Sequence, residues 1–210
     1  MTSKKHRKRN RRIMACSSLK LPLTEDTARS LVCGQRVLLS GPVFTARDAA
    51  HKFLAATGPD NPAIPPGLIG GAVYHCGPVT IRDEAGRWQI TAAGPTTSSR
   101  ENTYMPEVIR RYGLRVIIGK GGMDAATVAA CQRYGCVYLQ AVGGAAQVLA
   151  EAIVEVAEPY FLQEFGAPEA IWPLQVRDFP AIVSIDAQGH SLHEETLDAS
   201  RQRLQELLAV

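Results

Sequence analysis

The stretch that decides the architecture is "RVIIGKGGMDAATVAACQRYGCVYLQAV", residues 115–142. Its "VIIG" is a short apolar run with no polar interruption, the pattern of a strand covered on both faces in a parallel sheet. A glycine-marked turn follows, then a helix over "DAATVAACQRYG", then a second strand over "CVYLQAV". Strand, helix and strand in that order imply a layered α/β or β/β/α domain.

Outward from this unit, a helix from Thr96 to about Tyr112 precedes it, and "GGAAQVLAEAIVEVAEPYF" takes the helical place after it. The upstream half is richer in strand. "LKLPLTEDTARSLVCGQRVLLSG" reads as a short strand, a polar helical turn beginning near Thr24, and a β-rich run from Arg36 to Leu39 that ends at Gly41 and Pro42. In "TARDAAHKFLAATG" a helix is expected, capped by Thr45 and stopped by Gly58. "GPDNPAIPPG" is too rich in Pro and Gly for regular structure, and strands follow in "LIGGAVYHCGPVTI" and "WQITAAG", joined by the turn "RDEAGRW". Near the end, "WPLQVRDFPAIVSIDAQGHSLHEE" supplies one or two strands, and a polar helix from Thr196 to Leu208 closes the chain.

With 46% apolar and 20% charged residues the composition is that of an ordinary globular domain, which argues against wholesale disorder and fibrous architectures. No apolar run is long enough to span a bilayer, and the charged N-terminus lacks the apolar segment of a secretory signal. A cytoplasmic protein is expected. Cys16, Cys33, Cys76, Cys131 and Cys136 are odd in number and contain no C-x-x-C pair, so free thiols are expected rather than a disulfide framework or a self-contained metal site.

The formal charge of +3 misleads, because seven of the 23 Lys and Arg residues lie between Lys4 and Arg12. Without them 16 bases face 20 acids, so the folded part is acidic and nucleic acid is not its expected partner. "KKHRKRNRR" is read as part of a disordered basic tail over residues 1–18, ahead of one domain over 19–210. Translation from Met14 would remove it.

Three glycine-marked turns, "SGPVFTARDAAH", "AAGPTTSSRE" and "IIGKGGMDAAT", each open a helix and each bring a cation: Arg47, Arg100 and Lys120. Free N–H groups at a helix start attract anions, and guanidinium pairs two-pronged with carboxylate. His51 shares a helical face with Arg47. Thr96 and Thr97 can cap, but capping needs one hydroxyl and "TTSS" offers four. "GKGG" is not a Walker A loop. A small dicarboxylate is the natural ligand for such a set.

Taken in order, "GPVFTARDAAH", "GAVYHCGPV", "AAGPTTSSR", "VIIGKGGM" and "PEAIWPLQVRDFPAIVSIDAQG" resemble the β subunit of L(+)-tartrate dehydratase and the C-terminal domain of class I iron–sulfur fumarases. The resemblance runs from about Leu19 to near Asp198. It implies an α/β fold of the swivelling β/β/α layered kind with a mixed sheet. It also implies reversible addition or removal of water at fumarate/malate or tartrate, as one half of a hetero-oligomer. A [4Fe-4S] cluster would be held by the α subunit and not by this chain, which would contribute no metal ligand and no activity alone. Arg47, Arg100 and Lys120 match the residues that hold the substrate's carboxylates, Thr96 the one that assists proton transfer, and His51 falls in a supporting place. His75 also lies in a matching segment. Glu101 departs from the pattern, which commonly has methionine there. A reading of a different class is a stand-alone anion-binding or regulatory relative whose tail binds nucleic acid or an acidic partner.

Overall fold

The computed structural model describes residues 16–209. In chain order the elements are β1 (Ser17–Lys20), α1 (Glu25–Ser30), β2 (Arg36–Thr45), α2 (Asp48–Ala56), β3 (Ala72–Tyr74), β4 (Val79–Arg82), β5 (Trp88–Ala92), α3 (Met105–Tyr112), β6 (Val116–Gly119), α4 (Ala125–Tyr134), β7 (Val137–Gln140), α5 (Ala146–Glu151), β8 (Ile153–Val156), α6 (Leu162–Phe165), β9 (Pro173–Ile185) and α7 (Leu192–Leu208).

Seven strands form one sheet in the order β1-β2-β3-β6-β7-β9-β8, while β4 and β5 make a separate hairpin. Strands β1, β2, β3, β6 and β7 pair in parallel, and β9 runs antiparallel to β7, β8 and β2. Because β9 meets both β7 and β2, the sheet closes on itself. The result is a layered α/β domain with a mixed sheet.

The "VIIG" pattern follows from this layering. All four residues of β6 are buried, since side chains alternate between two covered faces. Val73, Ile117 and Tyr138 point toward Leu54, Val108, Ile109 and Cys131 on α2, α3 and α4. Their neighbours Ala72, Tyr74, Val116, Ile118 and Leu139 point the other way, toward Val176, Phe179 and Val183 of β9. Each such aliphatic side chain contributes about 1.5–3 kcal/mol on burial, so the two clusters fix which strand faces which layer.

Several boundaries differ from the sequence reading. The tail expected over 1–18 falls, through residue 15, outside the described residues, but Ser17 and Ser18 belong to β1, paired with Val37 and Leu38. Thr45 does not cap α2. It ends β2, where its hydroxyl donates to the Ala170 carbonyl at 3.2 Å and accepts from the Trp172 N–H at 3.0 Å, tying β2 to the start of β9. The N-cap of α2 is Arg47, and its C-cap is Thr57, directly before Gly58. The helix expected from Thr96 divides into a 3-10 turn at Ser98–Glu101 and α3, which starts at Met105 with Pro106 in its first turn. "AIVEV" leaves the helix after Glu151 to form β8 against β9. The closing helix α7 begins at Leu192, because the Ser191 hydroxyl caps the Glu194 N–H at 3.4 Å.

Candidate active site

At the mouth of α2, Arg47 takes an extended conformation and offers no side-chain cap. The cap comes from Glu169, 120 positions away, whose Oε2 accepts from the Ala49 N–H at 2.9 Å. The other oxygen of Glu169 lies 3.4 Å from Arg47 Nε. Gly77 makes room for this arginine: a β-carbon there would lie 2.8 Å from both Arg47 Cδ and Nη1.

The other two turns meet this one. Arg100 donates from Nε to Asp48 Oδ1 at 3.2 Å and from Nη2 to Asp48 Oδ2 at 2.6 Å, while Arg47 Nη2 lies 3.9 Å from the same Oδ2. Two guanidiniums thus face one carboxylate. The Thr96 N–H donates to the His75 carbonyl at 2.6 Å, and the Ser98 N–H donates to the Lys120 carbonyl at 3.0 Å. Thr97 and Lys120 form an isolated parallel bridge. After Lys120, Gly121 and Gly122 have φ of +82° and +75°, conformations that let the backbone turn sharply away. The structure therefore brings Arg47, Thr96, Arg100 and Lys120 to one end of the parallel strands.

Behind these residues lies a buried polar chain. Tyr138 Oη donates to Ser98 Oγ at 2.9 Å, and Ser98 Oγ lies 2.9 Å from His75 Nδ1. The His75 ring meets the His51 ring edge to face, with centroids 4.8 Å apart. His51 Nδ1 donates to the Arg47 carbonyl at 2.9 Å, since a carbonyl can only accept, which leaves its Nε2 bare. Glu101 is turned inward and its Oε2 lies 3.4 Å from His51 Nδ1. Gly119 permits the assembly, because a β-carbon there would lie 2.0 Å from Ser98 Oγ.

Burial sets the protonation of this chain. It pushes His51 down to about 4, against the raising effects of the Arg47 carbonyl and Asp48. It holds His75 well below the usual range, helped by His51. Tyr138 is pushed up to about 12, again by burial. Glu101 is pushed up to about 7 by burial first and then by the negative charges of Asp48 and Glu169, with Arg100 and Arg47 opposing. At neutral pH both imidazoles are uncharged, and Glu101 holds a proton far more readily than an ordinary carboxylate.

The Fumarase C-terminus family matches the chain over residues 2–196. The chain belongs to that family. It is 46% identical over 187 residues to a putative fumarate hydratase class I of Geobacillus stearothermophilus, an alignment covering 89% of this chain and 35% of that protein. It thus spans about a third of that relative's length. It is 38% identical over 189 residues to a putative L(+)-tartrate dehydratase subunit beta of Methanocaldococcus jannaschii, covering 90% of this chain and 96% of the relative. With the L(+)-tartrate dehydratase subunit beta of Escherichia coli K12 it shares 33% identity over 178 residues, or 84% and 86% of the two chains.

The described cysteines do not gather into a ligand set for a metal or cluster. Cys16 is exposed, Cys33 intermediate, and Cys76, Cys131 and Cys136 are buried. Burial pushes Cys76 up to about 12 and Cys136 well above the usual thiol range. Among the described residues no group of three or more His, Cys, Asp or Glu side chains could hold a metal ion.

Sequence reasoning missed several residues of this site. Ser98 stands in the sequence only as one of the four hydroxyls of "TTSS", yet its hydroxyl joins Tyr138 to His75. Asp48 lies inside "ARDAAH" and could have been noticed from its place beside Arg47. Glu169 and Tyr138 gave no local signal, because their partners lie far away in the chain.

Proposed function

We propose that this chain is the β subunit of an iron–sulfur hydro-lyase that reversibly adds or removes water at a small dicarboxylate, either fumarate/malate or tartrate. It works in a hetero-oligomer with an α subunit that ligates a [4Fe-4S] cluster. The observation that carries the reading is the facing of Arg47 and Arg100 on one carboxylate, that of Asp48, where three helix-opening turns meet. A pair of guanidiniums so placed suits the carboxylates of a C4 diacid, since each can engage two oxygens at once. The names of the tartrate dehydratase β subunits, which this chain matches over 96% and 86% of their lengths, support the same reading.

In this reading Arg47, Arg100 and Lys120 hold the carboxylates. The Thr96 hydroxyl, on a backbone pinned to the His75 carbonyl, assists proton transfer beside the substrate. His51 supports Arg47 by holding its carbonyl from within α2. When bound in the partner, the cluster supplies the Lewis acidity that a leaving hydroxyl requires. This chain's share is orientation, which can account for several orders of magnitude in rate. We place the protein in the cytoplasm, a reading that its free cysteines support. No helix among the described residues is long and apolar enough to cross a membrane.

The test is co-purification with an α-type chain bearing cluster cysteines, followed by assays on malate, fumarate and both tartrate enantiomers. Turnover of one of these by the complex is expected, with none by this chain alone. Comparable turnover by the iron-free chain, or an inactive complex with an intact cluster, would sink the proposal.

A further inference from the structure

Beside the proposed clamp stands a carboxyl group that the clamp does not use. The side chain of Glu101 is 0% exposed, and neither carboxylate oxygen receives a hydrogen bond from the described residues. The other two carboxylates near the arginines are differently placed. Asp48 is 38% exposed and accepts two hydrogen bonds from Arg100. Glu169 is 22% exposed and accepts from the Ala49 N–H. Of the three, Glu101 alone has neither a donor among the described residues nor solvent.

The charged and titratable groups facing it come from each element packed against it. From α2 come Arg47, Asp48 and His51; from the segment before β9 comes Glu169; from its own turn comes Arg100. His75 stands behind His51. Arg47 and Arg100 are already balanced by Asp48 and Glu169 before Glu101 adds any charge. A dianion arriving at the same arginines adds two negative charges to a balanced group. The carboxylate least able to remain ionised is then the one without water or donors.

We infer that Glu101 takes up a proton when a dicarboxylate binds at Arg47 and Arg100, and so governs the charge of substrate that the clamp accepts. The proton comes from solvent, rests on a Glu101 oxygen while the diacid is bound, and returns on release; no substrate bond is altered by it. Glu101 is thus a positioning residue acting through the two arginines. Burial has already brought it to about 7, so the uptake falls within the physiological range. The inference rests on the dicarboxylate reading given above.

The reconstituted complex provides the test. Calorimetric titration with succinate, which has no hydroxyl to eliminate, is run near pH 7.5 in two buffers of different ionisation enthalpy. Wild type is expected to take up a measurable fraction of a proton per succinate, and its KM for the substrate turned over is expected to rise above pH 7 by at most about tenfold per pH unit. In Glu101→Gln the uptake should vanish and KM become flat with pH. Glu101→Asp should retain both, whereas a merely structural role would shift KM equally at every pH. Dicarboxylate turnover without proton uptake, or with uptake unchanged in Glu101→Gln, overturns the inference while leaving the hydro-lyase reading intact. A complex that neither binds nor turns over any dicarboxylate overturns both.

Discussion

Arg100 grips Asp48 at two points, Nε to Oδ1 at 3.2 Å and Nη2 to Oδ2 at 2.6 Å, although 52% of its side chain is open to solvent. A guanidinium held in a fixed direction at the surface is suited to a ligand more than to the fold. Exposed pairs of this kind contribute about 0–1 kcal/mol. Arg100→Ala in the reconstituted complex is therefore expected to lower turnover by about 100-fold or more while leaving the melting temperature within a few degrees. Arg100→Lys keeps the charge but not the two-point geometry, and should recover little. Undiminished turnover in the alanine variant would remove Arg100 from the site.

Gly119 ends β6 directly against the buried chain. A methyl group there would lie 2.0 Å from Ser98 Oγ and 3.0 Å from Tyr138 Oη. Gly119→Ala must displace one of them, and overpacking of this kind costs about 1–3 kcal/mol. Urea unfolding should show a lower midpoint with an unchanged slope. Wild-type stability would mean that the Ser98 turn is free to retreat.

Ser98 links Tyr138 to His75, both buried. Ser98→Ala leaves two buried polar groups without their partner and is expected to cost about 1–3 kcal/mol. Tyr138→Phe removes a donor and leaves Ser98 its histidine, so it should cost less. The double variant should be no worse than Ser98→Ala alone. Additive losses in denaturant unfolding would show that the three groups do not act as a chain.

Glu101 makes stability depend on pH in a direction opposite to that of most carboxylates. Its value rises from the ordinary 4.5 to about 7 on folding, so between those limits the folded chain retains a proton that the unfolded chain has released. Stability from this group is complete below pH 4.5 and is lost as the pH climbs through 7. His51 works the other way: it falls from 6.5 to about 4, and its contribution is lost as the pH drops through that window. Glu101→Gln should match wild type at pH 4.5 and exceed it above pH 7, by on the order of 3 kcal/mol. It should also show the His51 slope undiluted. A stability difference that stays constant across the range would mean that Glu101 is not the group titrating.

Much of the sheet was legible because "VIIG" and "CVYLQAV" carry the periodicity of their own surroundings. What escaped was set by partners distant in sequence. Thr45 has the residue type of a cap, but its hydroxyl is claimed by Ala170 and Trp172 across β9. The cap of α2 is Glu169, and nothing within ten residues of Arg47 announces it. The grouping of Arg47, Thr96, Arg100 and Lys120 could be suspected because each follows a glycine-marked turn. The direction of Glu101 could not be, since a 3-10 turn and an α-helix aim that position differently.

The distance between Glu169 and the helix it caps has a consequence for the order in which the protein is made. On the ribosome α2, the Thr96 turn and Lys120 emerge well before Glu169 and the strand β9 that locks β2 in place. Contacts that span so much chain form late, because closing the long loop costs entropy before it is repaid. A nascent chain therefore carries Arg47 without the carboxylate that seats it until the segment before β9 is released, and the proposed anion site would be completed only then.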